Sequence, residues 1–375
     1  MTAGGALISV VGARPNFMKI APICAAWSAA QTDRAHLLVH TGQHYDASMK
    51  VQFFEQLGIP EPDIDLGVGS GTHAMQTSAI MQRFEPVLDQ HRPAAVLVVG
   101  DVNSTIACAL TAVKKDIPVI HVEAGLRSGD RSMPEEINRV LTDQVSSRLY
   151  TTERAALDNL TREGIRPDAV CFVGNVMIDT LLTHSKQAPG IEALTLGTGV
   201  RADSSNGYGL VTLHRPANVD DPQVLRRLID ALCKVAQRLP LLFPVHPRTE
   251  ARLRAQGLWD QAQAHLELLP PLGYLQMVGA MRDARLVLTD SGGIQEETTA
   301  LGVPCLTLRD NTERPITVDQ GTNTLVGRDP ERILEAVAQA LAGAGKAGRI
   351  PELWDGRAAQ RILDDLLPWL EVHGA

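Results

Sequence analysis

Basic side chains are in the minority. In 375 residues, 35 Lys and Arg face 43 Asp and Glu, a formal net charge of −8. That balance favours solubility and lacks the basic excess that nucleic-acid binding needs, so no nucleic-acid partner is expected. Long apolar runs are also missing: each is broken by glycine, proline or charge well short of the ~20 residues that cross a bilayer, so no membrane partner is expected. The first residues have no basic region before their apolar run and read as a strand, not a secretory leader. Cysteine is scarce. Cys24, Cys108, Cys171, Cys233 and Cys305 are scattered, odd in number and without a Cys-x-x-Cys pair. A disulfide framework and a zinc site are thereby excluded, and buried reduced thiols point to a cytoplasmic protein. No His/Asp/Glu set has metal-ligand spacing, and no metal is expected. There is no Gly-x-Ser-x-Gly elbow, no Walker-type loop and no Gly-x-Gly-x-x-Gly after the first strand. An NAD site is therefore not expected, nor any other cofactor.

What is present is a long alternation of short β-branched runs and helical patterns, the signature of βαβ units and parallel sheets. Strands are expected at 7–11, 37–40, 95–99, 119–122, 148–151 and 170–173, then at 209–213, 241–245, 266–268, 286–289 and 305–308. A chain of this length exceeds one hydrophobic core. Residues 184–207, rich in Gly, Ala, Ser and Thr, read as a linker between two doubly wound α/β domains, 1–183 and 208–356. In the last segment, 357–375, Ile362, Leu363, Leu366, Leu367 and Leu370 are spaced for an amphipathic helix.

In parallel α/β sheets ligands bind outside the carboxyl ends of the strands, and polar residues gather there. The turn Thr289-Asp290-Ser291-Gly292-Gly293-Ile294-Gln295-Glu296-Glu297 follows an apolar strand. Its glycines admit a close ligand, and Ser291 stands at the N-cap of the next helix. Free N–H groups and the positive helix end suit phosphate, and Glu297 suits sugar hydroxyls, a combination that points to a nucleotide diphosphate with its ribose. Arg14 and Lys19 follow the first strand as further phosphate contacts. Asp101 and Glu123 each end a strand. Asp101 could instead cap a helix, whereas a carboxylate at the position of Glu123 is costly unless paired or used. Glu135 and Glu136 open a helix and could be dipole partners only. His214-Arg215 and His246 end strands of the second half.

Taken together these residues resemble the non-hydrolysing UDP-N-acetylglucosamine 2-epimerases. The resemblance runs over about 10–327. It rests on Gly12-Ala13-Arg14-Pro15 with Lys19, His40-Thr41-Gly42-Gln43-His44, Gly100-Asp101, His121-Val122-Glu123-Ala124-Gly125-Leu126-Arg127, Pro134-Glu135-Glu136-Ile137-Asn138-Arg139, Thr212-Leu213-His214-Arg215, the Ser291 to Glu297 turn and Arg309-Asp310-Asn311-Thr312-Glu313-Arg314-Pro315, in that order. It implies two Rossmann-like domains facing a cleft (the GT-B architecture), a final helix crossing back to the first domain, a UDP-sugar substrate and a homodimer. Asp101, Glu123 and Glu135 become the acid/base carboxylates, with His214 beside the leaving diphosphate. Arg14, Lys19, Arg139, Ser291, Gly292, Gly293, Glu297 and Arg314 become substrate contacts. Gln43, His44, Gln76 and His246 are candidates for a second, activating UDP-sugar site. Two departures bear on that second site: Pro216-Ala217-Asn218 stands where bacterial members have Arg-Glu-Asn, and the loop between Arg127 and Pro134 is short. Alternatives sharing the architecture are a hydrolysing epimerase, an epimerase of diacetamido uronic acid derivatives and a glycosyltransferase. A silent nucleotide-sugar sensor is a further alternative of a different class.

Overall fold

The structure, a computed structural model, describes residues 5–43, 53–195 and 207–374. The chain divides into two compact units: Met1–Thr183 with Glu352–Ala375, and His184–Pro351.

The first unit holds a seven-stranded sheet. Its strands are β1 (Leu7–Val11), β2 (His36–His40), β3 (Ile64–Asp65), β4 (Ala95–Val99), β5 (Val119–Ala124), β6 (Arg148–Thr151) and β7 (Val170–Phe172), in the order β3-β2-β1-β4-β5-β6-β7. Every pairing is parallel. β1 and β4 are buried along their whole length, as strands covered by helices on both faces must be. The second unit repeats the plan with six strands: β8 (Gly209–Thr212), β9 (Leu241–Pro244), β10 (Glu267–Leu269), β11 (Leu286–Thr289), β12 (Cys305–Thr307) and β13 (Asn323–Leu325), ordered β10-β9-β8-β11-β12-β13. Both orders are the doubly wound Rossmann arrangement. The strand order reverses between β1 and β4 and between β8 and β11, and a ligand crevice opens at such a reversal.

The expected strands lie where the structure places them, within a residue or two. β3 and β13 were not anticipated, because two- and three-residue strands carry no readable alternation. The segment read as a linker differs from expectation: Ile191–Thr195 is helical, and Ser185 and Ala188 carbonyls accept from Arg282 of the second unit. Residues 196–206 lie outside the described residues.

The final helix, Ala358–His373, buries Ile362, Leu363, Leu366 and Leu370 and belongs to the first unit. Specific polar contacts dock it. Asp179 accepts the first N–H groups, Ala358 at 3.1 Å and Ala359 at 2.7 Å. Arg148 and Tyr150 bind Asp365, and Trp354 Nε1 donates to the Thr152 carbonyl at 3.1 Å.

Candidate active site

At the carboxyl ends of β1, β4 and β5, the backbone is shaped around one buried carboxylate. Glu123 has φ +73, a conformation disfavoured for any residue with a Cβ, and it stands where the β5–β6 register shifts between Val122 and Ala124. Strain of this kind persists only where the surroundings over-determine it. Here the surroundings are Lys19, itself buried, whose ammonium is ion-paired with the Glu123 carboxylate, and Gly100. Gly100 has φ +67, and a Cβ there would stand 2.7 Å from Lys19 Nζ and 3.3 Å from Glu123 Oε2, so only glycine leaves the pair its space. Asn16 ties the two strand ends together. Its Oδ1 accepts the Gly12 and Ala13 N–H groups, and its Nδ2 donates to the Val99 carbonyl at 3.0 Å.

Asp101 does not cap the following helix, Asn103–Val113, whose N-cap is Val102. Its carboxylate binds Arg139 at 2.5 Å. Arg139 is buried and also pairs with Glu136 at 2.5 Å. The two adjacent glutamates therefore separate. Glu135 is half-exposed with no hydrogen bond or ion pair among the described residues, whereas Glu136 is buried. Burial alone would raise the Glu136 carboxyl, but the Ser128 N–H, Arg139, the Gly129 N–H and the Ser128 hydroxyl hold it below its ordinary value. Arg14 is exposed with its guanidinium 4.7 Å from the centre of the Phe53 ring. Lys19 and Arg139, expected to touch substrate, thus contact the site's own carboxylates.

The second unit converges on Asp290, fully buried just after β11. It accepts the His214 N–H at 3.0 Å, the Arg215 N–H at 2.9 Å and Asn218 Nδ2 at 3.1 Å, and it lies 3.0 Å from His214 Nδ1. Burial pushes its carboxyl up, but these partners win and hold it below its ordinary value. His214 is fixed in orientation by Asp290, with a half-exposed ring. Asn218, the residue kept in the altered Pro216-Ala217-Asn218 stretch, completes this cage. Ser291 stands at the N-cap of Gly292–Leu301, but its side chain makes no capping bond. Its N–H goes to Thr289 Oγ1 at 2.9 Å. The N–H groups of Gly292 and Gly293 have no acceptor among the described residues, and no acidic side chain occupies the first turn. A Cβ on Gly292 would collide with Glu313 Oε1, and Glu313 is itself held by Arg309 at 2.7 Å. The result is an open set of donors at a helix N-terminus, the arrangement that receives phosphate.

One turn on, Glu296 pairs with Arg314, another residue expected to contact the ligand, at 3.1 Å. Glu297 is buried against Tyr274. Burial, opposed by the tyrosine hydrogen bond and reinforced by the Glu296 charge, pushes its carboxyl up to about 8.

Of the residues considered for an activating site, Gln43 and Gln76 belong to the first unit and His246 to the second. Gln43 Oε1 accepts from Ser104, while Gln76 donates to the Gln43 carbonyl and accepts from Asn103. Both amides brace loops of the first unit. His246 is exposed at the N-cap of Pro247–Ala255, its ring 5.7 Å from that of His214. His44 lies outside the described residues. Reading the chain for candidate ligands and carboxylates missed Asp143, which is fully buried in the helix Pro134–Val145. The signal was present: Glu136, Arg139 and Asp143 fall on one helical face that should be apolar. Among the described residues no group of three or more His, Cys, Asp or Glu could hold a metal ion, and no helix is long and apolar enough to cross a membrane.

Two units with this strand order define a protein of the paired Rossmann α/β class. A family model described as UDP-N-acetylglucosamine 2-epimerase matches residues 28–367. The UDP-N-acetylglucosamine 2-epimerase of Methanocaldococcus jannaschii is 43% identical over 333 residues, 88% of this chain and 90% of that protein. The UDP-2,3-diacetamido-2,3-dideoxy-D-glucuronate 2-epimerase of Pseudomonas aeruginosa is 42% identical over 338 residues, 89% of this chain and 92% of that protein. The crystal structure of the M. jannaschii UDP-GlcNAc 2-epimerase in complex with UDP-GlcNAc and UDP superposes with a TM-score of 0.88 at 40% identity, covering 97% of this chain and 99% of that one. This chain belongs to the UDP-N-acetylglucosamine 2-epimerase family.

Proposed function

We propose that this protein interconverts UDP-N-acetylglucosamine and UDP-N-acetylmannosamine without net hydrolysis. The C2 proton of the sugar is not adjacent to a carbonyl, so direct deprotonation is slow. Breaking the anomeric C–O bond first sends the electron pair to UDP and acidifies C2–H. Loss of that proton to a carboxylate leaves 2-acetamidoglucal. UDP then adds back at C1 as C2 takes a proton on its opposite face. Inversion requires acid/base groups serving both faces.

The observation that carries this reading is Glu123, a buried carboxylate held at φ +73 against Lys19. We assign proton transfer to Glu123 and Asp101, each with a cation that offsets its charge and aims it, and support to the half-exposed Glu135. His214, oriented by Asp290, and Arg14 stabilise the departing diphosphate. Ser291 and the Gly292 and Gly293 N–H groups hold phosphate, and Glu297 takes the ribose. Arg314 acts through Glu296, and Lys19 and Arg139 act through their carboxylates.

The test is incubation with UDP-N-acetylglucosamine in deuterated water, followed by proton NMR. Deuterium at C2 with a mixture favouring the gluco epimer is expected, and Glu123→Gln should abolish exchange while the protein stays folded. Accumulation of free N-acetylmannosamine with UDP selects the hydrolysing reaction instead. A wild-type protein that leaves C2 undeuterated refutes the reading. The 42% identity to the diacetamido uronate enzyme, against 43% to the UDP-N-acetylglucosamine enzyme, supports a second reading in which that uronate is the substrate; the same assay with that UDP-sugar decides it.

A further inference from the structure

We infer that His121 and Asp143 form a positioning pair that sets the geometry of Asp101 and Glu123, an inference that rests on the function proposed above. Both side chains are fully buried, out of reach of a ligand. The imidazole bridges two strands: Nε2 donates to the Gly100 carbonyl at 2.8 Å, and Nδ1 is hydrogen-bonded to Asp143 Oδ1 at 2.6 Å. The other carboxylate oxygen of Asp143 accepts the Gly125 N–H at 3.1 Å and meets Arg127 at 2.7 Å. Arg127 in turn is anchored by Glu163 at 2.8 Å.

The two peptides gripped in this way flank the two carboxylates. Gly100 directly precedes Asp101, and its Cα faces the Lys19–Glu123 pair. Gly125 follows Glu123 by two residues. Gly100, Glu123 and Gly125 all have positive φ, at +67, +73 and +79. Glycines at two of these positions would otherwise let the strand ends relax, so a strained turn of this composition needs external bonds to hold one conformation. The Gly100 N–H already donates to the Val122 carbonyl at 3.1 Å, and His121 supplies the bond on its carbonyl side. A polar pair this deeply buried is expensive unless every group is satisfied. Here His121 and Asp143 bond to each other and to the Gly100 and Gly125 peptides of the two carboxylate-bearing strand ends, and Arg127 offsets the Asp143 charge.

The test compares wild type with Asp143→Asn, His121→Gln and the double variant as full chains, measuring circular dichroism, UDP affinity by calorimetry, and kcat and KM for deuterium entry at C2. Displacement of a catalytic group by about 1 Å costs on the order of 10²-fold in rate. For each single variant the expected result is folded protein with wild-type UDP affinity, KM within about threefold and kcat lowered on the order of 10²-fold. Both changes break the same imidazole–carboxylate bond. The double variant should therefore lose about tenfold less kcat than the product of the single effects, as residues acting through one contact do. A folded single variant with kcat within about twofold of wild type overturns the inference, and so do single effects that simply multiply. Parallel loss of kcat, KM and UDP affinity in step with the folded fraction also overturns it, because that pattern belongs to a purely structural role. Failure of the wild type itself to exchange C2–H sinks the proposed function instead, so the two failures are distinguishable.

Discussion

Replacing Gly100 by Ala probes the strained carboxylate site with a single carbon. The backbone at this position has φ +67, which costs a residue with a Cβ about 1–2 kcal/mol. The new methyl would also stand 2.7 Å from Lys19 Nζ and 3.3 Å from Glu123 Oε2. Lysine is flexible enough to give way, so the fold should survive, at a cost of a few degrees in Tm, since a kcal/mol is worth about 2–4 °C in a unit of this size. The lysine can only retreat by leaving its carboxylate. Glu123 would then keep its place without its counter-charge, or shift after it. A sub-ångström to 1 Å error at the group assigned above to C2 proton transfer predicts a fall in kcat on the order of 10²-fold. UDP affinity should hardly change, because most of the residues assigned to the nucleotide lie in the other unit. Deuterium incorporation at C2, thermal unfolding and UDP calorimetry read the three quantities separately. A folded Gly100→Ala protein that exchanges C2–H at the wild-type rate would refute the claim that Gly100 exists to make room for the Lys19–Glu123 pair.

Two further outcomes are expected. Ser291 occupies an N-cap position without making a capping bond, so Ser291→Ala should leave Tm within a degree or so, where an ordinary cap loss costs about 1 kcal/mol; UDP should bind about tenfold more weakly, one charge-assisted hydrogen bond being worth about 1.5 kcal/mol or more, and the result that contradicts this is lost stability with unchanged affinity. Burial raises Glu297 from 4.5 to about 8, and a raised carboxyl binds its proton more tightly in the folded state than in the unfolded one, so the second unit should lose stability as pH rises from about 4.5 through about 8, by an amount on the order of a few kcal/mol. Glu297→Gln should flatten that slope in chemical denaturation followed across the same pH range; a variant that keeps the wild-type slope places its origin elsewhere.

The sequence by itself determined the two parallel sheets, because fully buried strands read as continuous apolar runs and the turns between them as breaks. It also determined which residue types gather at the strand ends, and Asp101, Glu123, His214 and Ser291 were all visible there. The resemblance, carried by short motifs, assigned their chemistry. Only the tertiary structure decided which side chains those residues pair with. That Lys19 meets Glu123, Arg139 meets Asp101 and Arg314 meets Glu296 depends on side chains 104, 38 and 18 residues apart in the chain, as their numbers show, and no local pattern encodes such pairings. Glu135 and Glu136 are neighbours with the same chemistry, yet about 100° of helical rotation puts one half in solvent and the other against Arg139. Asp143 and Asp290 become hubs because the βαβ winding delivers backbone N–H groups to them. A sequence shows which polar groups a fold must accommodate; which of them remain open to a ligand is settled when the others have found their partners.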